Sequence, residues 1–410
     1  QQSDVDFASV YTDDFWDVRN GIPCPKNFEY LTITKAISLD TVIHAEVSRG
    51  EDNVTVSLEN DVAQDFAADS TIVVKDGNTE ISGASLSGKS IIIPKSSLTN
   101  IYGNHELTIF IDEDAGNGIV KSYKVTCTVI KSTMAIKTAE DLDAFGAIAD
   151  AADGTVGNGV WDGYFVLAND IEYNKEFTPF ITRQSVKRAT GWKDNSVWVD
   201  PVKYGFKGTF DGLGYNIEGL KIVGTATAEF DNGYGTKFQD VQTGGFIGLL
   251  NNNGIIRNVS FTKAELTGAG TQGWGFIAYC ANGTMQNIYV SYAKLENTET
   301  GRVGTFVGLD ARAALRVKNC VVDLTSATVS GNNIYAVGSL HLSYGCVNNV
   351  YVVGTTSEIV KAISGTKGAN DVYEAYATVQ DFANAEIPLD ATNGWAMDYW
   401  TKDANGMFVF

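Results

Sequence analysis

Five cysteines in 410 residues, Cys24, Cys127, Cys280, Cys320 and Cys346, are too few and too scattered for a disulfide framework. None forms a C-x-x-C metal pair, and most read as small core hydrophobes, with a single Cys24–Cys127 bridge left open. Histidine is scarcer. His44, His105 and His341 lie far apart without metal-ligand spacing, which leaves a zinc centre or a Ser/His/Asp triad unsupported. No apolar run reaches the length a membrane-spanning helix needs, and the chain opens on polar Gln1, Gln2, Ser3 and Asp4 instead of an export signal, so it reads as a mature or trimmed chain. Basic residues are under-represented, 30 against 49 acidic, for a net charge of −19. Such a surface repels a phosphate backbone, which argues against nucleic acid as a partner. No metal and no cofactor is expected.

Against these absences stand 42 glycines and many short Val/Ile/Phe/Tyr runs, the composition of strands joined by tight turns. The chain is expected to be all-β, an N-terminal immunoglobulin-like β-sandwich followed by a parallel β-helix. Residues 1–22 lack a clear period and read as a tether. Within 23–133, strand-like runs at Tyr30–Thr34, Thr41–Val47, Val54–Leu58, Thr71–Val74, Ser90–Ile93, Glu106–Ile111 and Ser122–Ile130 are separated by Gly, Asp and Asn turns. The Cys–Trp–Cys core of antibody domains is missing, so the analogy is to the sandwich architecture. Residues 134–410 form the second domain, opened by a short helix over Leu142–Ala151 that Thr138 caps, and closed by a C-terminal cap.

The repeats carry the β-helix expectation. Gly245-Phe-Ile-Gly-Leu249, Gly275-Phe-Ile-Ala-Tyr279, Thr305-Phe-Val-Gly-Leu309 and Ala336-Val-Gly-Ser-Leu340 place Phe246, Phe276, Phe306 and Val337 at steps of 30, 30 and 31 residues. A second element repeats an asparagine, Asn258, Asn287, Asn319 and Asn349, at steps of 29, 32 and 30. A third, shorter strand follows at Ala264–Leu266, Ala293–Leu295, Ala327–Val329 and Ser357–Ile359. Three short strands per coil of about 30 residues, with no helix between them, stack each coil on its neighbours. The phenylalanines then form an interior ladder and the asparagines a corner ladder, because asparagine tolerates left-handed backbone and can bond its amide to the next in the stack. A ladder asparagine is inaccessible to modification, so Asn258-Val-Ser, although it matches the glycosylation sequon, is expected to carry no sugar.

Phe206-Lys-Gly-Thr-Phe-Asp-Gly-Leu-Gly-Tyr-Asn-Ile-Glu-Gly-Leu220, Gly244-Gly-Phe-Ile-Gly-Leu249 and Ile256-Arg-Asn-Val259 resemble the GLUG-type repeats of bacterial surface proteins and adhesin-like lipoproteins, common in gut Bacteroidota. Residues 138–171 and Gly394–Trp400 resemble the segments that open and close such domains. The later repeats depart from the motif, with Ala278 and Ser339 in place of glycine. The resemblance implies a non-enzymatic cell-surface protein, adhesin-like or glycan-binding, extracellular or on the outer surface and lipid-anchored in its precursor. Its motif is structural and carries over no catalytic residue. A polysaccharide lyase or glycoside hydrolase on the same scaffold is the alternative, and a structural subunit of a surface assembly is a third. The partners implied are a host or dietary glycan or another surface protein.

Two segments draw chemistry. Asp200, Asp211, Asp231 and Asp240 could supply paired carboxylates for glycoside or uronate chemistry, although Asp211 sits in a glycine-rich turn where a structural aspartate is expected. Asp112–Gly118 carries oxygen ligands without EF-hand spacing and reads as a hairpin loop. The Tyr173–Lys207 insertion concentrates Tyr173, Phe177, Phe180, Trp192, Trp198 and Tyr204, with seven basic residues against Glu176, Asp194 and Asp200. Its ligand-binding residues are expected to be Trp192 and Trp198 for stacking on sugar faces and Arg183 and Arg188 for gripping an acid group, extended by Phe230 and Tyr234. The competing reading makes the insertion's aromatics an end cap of the solenoid.

Overall fold

The structure is a computed structural model of the chain. Side chains are described for residues 53–59, 62–98, 103–113, 122–147, 162–180, 205–224, 244–268, 274–278, 283–298, 301–308, 315–338, 347–354 and 374–410. Backbone elements are also described at 16–19, 22–25, 31–34, 42–44, 114, 120–121, 148–151, 226–231, 237–241, 273, 279–281, 309, 360–361 and 373. The chain is all-β with few helices and divides into two compact units, Gln1–Ser132 and Thr133–Phe410.

In the first unit the strand Asn53–Ser57 alternates exposed and buried residues, which turns Val54 and Val56 to one side. It pairs with Ser90–Pro94, and that with Ser85–Ser87. The second sheet runs Leu31–Thr34, Val120–Ser132, Gly103–Asp114, Thr71–Asp76, Thr79–Ile81, with Val42–His44 also joined to Val120–Ser132. Val54, Val56, Ile91 and Ile93 from the first sheet share one core with Val74, Leu107, Ile109, Val125 and Val129 from the second. The acidic 112–118 stretch begins as strand. Glu113 is buried and accepts from the Ala67 amide (3.2 Å) and the Tyr123 hydroxyl (3.2 Å). Cys127 is a free, buried thiol, pushed up to about 12 by burial and then by the charge of Glu106, so the Cys24–Cys127 bridge is not formed. A two-stranded hairpin, Trp16–Arg19 with Ile22–Pro25, lies across residue 22, where the tether was expected to end.

The second unit is built on a twelve-stranded sheet. Its spine is Met134–Ile136, Tyr164–Leu167, Thr209–Asp211, Ile255–Gly268, Thr284–Asn297, Arg316–Asp323, Val347–Val353 and Tyr373–Tyr376, each parallel to the next. Ile255 lies opposite Thr284 and Thr284 opposite Arg316, so successive strands are one sequence repeat apart. Two smaller parallel sheets step in the same way: Ile247–Leu250, Ala278–Ala281 and Val307–Leu309, and Gly273–Gly275, Arg302–Gly304, Ile334–Tyr335 and Val360–Lys361. Parallel strands stacked at one-repeat register fit a parallel β-helix.

The strand inventory differs from three separate strands per coil. In the Asn258 and Asn287 coils the second and third elements run together as Ile255–Gly268 and Thr284–Asn297. Register shifts between Phe261 and Glu265 and a left-handed Lys263 (φ 50°) turn the corner without ending the strand. Only in the next coil do they separate, as Arg316–Asp323 and Thr328–Gly331. The sheet beginning at Gly273–Gly275 was not expected at all, because strands of two or three residues that include glycine show no period to read.

Phe246, Phe276 and Phe306 are fully buried in one core. Their backbones step directly, with the Phe246 amide on the Phe276 carbonyl (2.8 Å), but their rings do not stack face to face. Phe261 stands between Phe246 and Phe276 at centroid distances of 5.4 and 5.3 Å, edge-on to both, the arrangement the ring quadrupole favours. The helix Ala139–Ala151 buries Leu142 and Phe145 in the same core, and Phe145 stacks on Phe180 at 4.3 Å. Its start is fixed as expected: Thr138 Oγ1 accepts from the Asp141 amide (3.1 Å), and Asp141 Oδ2 accepts from the amides of Lys137 and Thr138.

A second helix, Val379–Asn384, was not anticipated and uses the same device, Thr378 with Asp381. It belongs to a C-terminal segment that covers the outer face of the large sheet. There Phe382, Trp395, Trp400 and Phe408 form a core with Tyr289, Val321, Tyr351 and Val353. In Asn287-Ile-Tyr-Val290 the side chains of Ile288 and Val290 point inward and Tyr289 outward, so apolar residues on both faces require a cover. Among the described residues no helix is long and apolar enough to cross a membrane.

Candidate functional site

Asn258, Asn287, Asn319 and Asn349 all hold left-handed backbone, φ 53–54°, at one corner of successive coils. Asn287 donates Nδ2 to Asn258 Oδ1 (3.1 Å), and Asn349 donates to Asn319 Oδ1 (3.0 Å). The corner ladder is therefore present, but in two pairs. Asn287 and Asn319 are buried and the two outer members half-buried. Asn258 gives its own Nδ2 to Asp211 Oδ1 (3.0 Å), so the nitrogen that a sugar would need is occupied.

Asp211 heads this ladder. It is buried, and besides Asn258 it accepts from the Leu213 amide (3.1 Å), the Tyr164 hydroxyl (3.1 Å) and Arg257 Nε (2.7 Å). Arg257 Nη2 also reaches the Tyr164 oxygen at 3.4 Å. Burial and then the Asp211 charge raise the Tyr164 pKa well above the usual tyrosine range, against a lowering by Arg257. Burial opposes the charge on Arg257, but Asp211 and Tyr164 outweigh it and the guanidinium pKa is raised. With four donors on one carboxylate, the cluster is a structural knot that fixes the Arg257 guanidinium at the surface. Of the other acids proposed for glycoside chemistry, Asp200 lies outside the described residues. Asp231 and Asp240 fall in the hairpin Ala226–Asp231 with Lys237–Val241, where side chains are not described.

The insertion divides. Tyr173, Phe177 and Phe180 are core residues, with Phe177 stacked on Phe246 at 5.2 Å, so these aromatics close the solenoid interior and face no ligand. Tyr173 also donates to Asp143 Oδ1 (2.6 Å), whose Oδ2 takes Lys175 Nζ at 2.5 Å. Further on, Phe180 lies opposite Ile247 and Phe206 opposite Leu250, their rings edge-to-face at 5.5 Å and both fully buried. Residues 181–205 are thus spliced into a coil at the place where the next coil has only Gly248 and Leu249. Trp192, Trp198, Arg183 and Arg188 lie in this splice, outside the described residues; Tyr234, in the later segment, is also outside them. Phe230 pairs through its backbone with Phe238.

His105 pairs with Asp76 at 2.6 Å in the first unit, His44 lies in a strand whose side chains are not described, and His341 is outside the described residues. Among the described residues no three His, Cys, Asp or Glu side chains come together as a metal site would require. Sequence reading missed the Tyr164–Asp211–Arg257 knot. Its signal was that Phe210-Asp-Gly212 and Ile256-Arg-Asn258 occupy equivalent turns, which sets Asp211 opposite Arg257. No family model, curated protein or solved structure matches this chain.

Proposed function

We propose that the protein is a non-enzymatic surface scaffold, adhesin-like or glycan-binding, of the kind its GLUG-type repeats resemble. It works outside the cell or on the outer surface, lipid-anchored in its precursor, with the first unit an immunoglobulin-like spacer. The observation that supports this reading is the splice at Phe180 and Phe206. Phe180 and Phe206, buried and ring to ring, flank a segment rich in tryptophan and arginine, and binding residues concentrate on inserted segments of this kind. Trp192 and Trp198 stack on sugar faces, and Arg183 and Arg188 take a carboxylate or sulfate in bidentate fashion.

A lyase or hydrolase would call for a carboxylate turned toward its substrate, and Asp211 is buried with both oxygens taken up by four donors. A glycan-array screen run beside a polysaccharide-degradation assay tests the reading. Binding that is lost in the Trp192→Ala/Trp198→Ala double variant at unchanged melting temperature is the expected result. Release of shortened products, or binding indifferent to the double variant, contradicts it.

A further inference from the structure

Just before the asparagine corner, each long strand alternates an interior residue with one facing away. Ile256, Met285, Val317 and Val347 are interior, and Arg257, Gln286, Lys318 and Asn348 follow them on the outer side. Arg257 lies opposite Gln286, Gln286 opposite Lys318, and Lys318 opposite Asn348. Neighbouring strands sit about 4.8 Å apart, so these four side chains form a row along the stacking direction with one group per step, close to the length of one pyranose unit. The row alternates cation, amide, cation, amide.

Among the described residues of this unit, three other outward cations are paired with acids. Lys221 pairs with Glu265 (3.0 Å), Lys263 with Glu218 (2.6 Å) and Lys294 with Glu296 (2.6 Å). Among the described residues Gln286, Lys318 and Asn348 have no side-chain partner. Arg257 commits Nε and Nη2 to the knot, and its side chain is 40 % exposed. The acid at the head of the row, Asp211, is buried. A wall runs beside the row, because Asn319 and Asn349, each next to a row residue, donate to the carbonyls of Gly394 and Asn393. That wall carries half-exposed Tyr399, exposed Met397 and the acids Asp390 and Asp398.

We propose that this row binds a linear glycan with a carboxylate on alternate sugars, its chain lying along the coils. Arg257 and Lys318, two strands apart, meet successive carboxylates. The amides of Gln286 and Asn348 meet the hydroxyls of the intervening sugars, and the wall supplies an apolar side. This rests on the glycan reading above but places a site on the coils themselves, made of residues outside the 181–205 splice.

The test is calorimetric titration of the full chain with a hyaluronan hexasaccharide, which alternates acidic and neutral sugars, against a neutral cello-oligosaccharide and a short single-stranded oligonucleotide. Wild-type protein should bind hyaluronan alone, more weakly as salt rises. Lys318→Glu, at an exposed position, should weaken it by about tenfold or more, the size expected for a lost charged hydrogen bond, at unchanged melting temperature. Asp398→Asn should strengthen it. No hyaluronan binding, equal binding of the neutral sugar or the oligonucleotide, or a Lys318→Glu protein that binds like wild type overturns the proposal. If the Trp192→Ala/Trp198→Ala protein loses glycan binding while Lys318→Glu does not, the loop reading stands and the row falls. The opposite pattern leaves the row and removes the loop.

Discussion

Asn319 donates its side-chain amide to the Gly394 carbonyl at 2.5 Å, and so breaks the chain of amide bonds that would have joined it to Asn287. Asn287 Oδ1 is left buried without a partner. The break falls at the one step of 32 residues, where the C-terminal segment reaches into the corner and takes the donor. A ladder bond is thereby exchanged for one that ties cover to coil.

Asn319 serves both its left-handed backbone and that tie. Asn319→Ala forfeits that bond and the one its Oδ1 accepts from Asn349 (3.0 Å), about 1 kcal/mol each, and forces a Cβ residue without side-chain compensation into φ 53°, a further ~1 kcal/mol. Asn319→Gly forfeits the two bonds only. Urea denaturation should rank wild type above the glycine variant and that above the alanine variant. Equal losses would mean that the backbone conformation contributes nothing.

The cover is a packed structure and no loose tail. Trp395 is buried against Trp400 (4.9 Å), Phe408 (5.2 Å) and Tyr351 (6.3 Å). Trp395→Ala should cost about 3–5 kcal/mol and open Tyr289, Val321 and Tyr351 to solvent, seen as new binding of a hydrophobic dye. A variant with wild-type stability and no dye binding would show that the outer face needs no cover.

Trp274 is fully buried between two glycines. A Cβ on Gly268 would stand 2.4 Å from its Cδ1 and 2.7 Å from Val303 Cγ2, and one on Gly224 would stand 2.4 Å from its Cδ2. Gly268→Ala should therefore destabilise by about 1–3 kcal/mol through overpacking. Pairing it with Trp274→Phe should recover part of that loss, and strict additivity of the two changes would argue against contact.

Several tyrosines titrate abnormally. Burial, then Asp211, raises the Tyr164 pKa, and burial, then Asp323, raises that of Tyr289. A proton held more tightly in the folded state stabilises fully below the unfolded value, near 10, and that contribution is lost as pH rises toward the folded values. Stability should fall steadily above about pH 10, with tyrosinate absorbance lagging behind a denatured control. Coincident titration curves would show these hydroxyls to be free.

What could be read from the sequence was what repeats. Phe246, Phe276 and Phe306, and the four asparagines, kept their spacing because each must fill the same interior or corner position in every coil. Strands such as Gly273-Trp-Gly275 carry too few side chains to show a pattern. The C-terminal cover was signalled by Tyr289, Val321 and Tyr351, apolar residues on a face that would otherwise meet water. Tyr173, Phe177 and Phe180 follow the capping reading of the insertion, but composition alone cannot distinguish an aromatic that closes a core from one that meets a ligand. The row from Arg257 to Asn348 precedes the asparagines at the same steps, but its four side chains differ in kind, so no repeated residue marked it.

The one-repeat parallel register is the claim on which the rest depends, and disulfide trapping measures it directly. Gln286 and Lys318 are direct neighbours across parallel strands, about 4.8 Å apart and within the reach of a disulfide, whereas Gln286 and Asn348 are two strands apart and beyond it. Under mild oxidation Gln286→Cys/Lys318→Cys should cross-link rapidly and within one chain, while Gln286→Cys/Asn348→Cys should not. Cross-linking of the second pair, or failure of the first in the folded protein, would contradict the coil register.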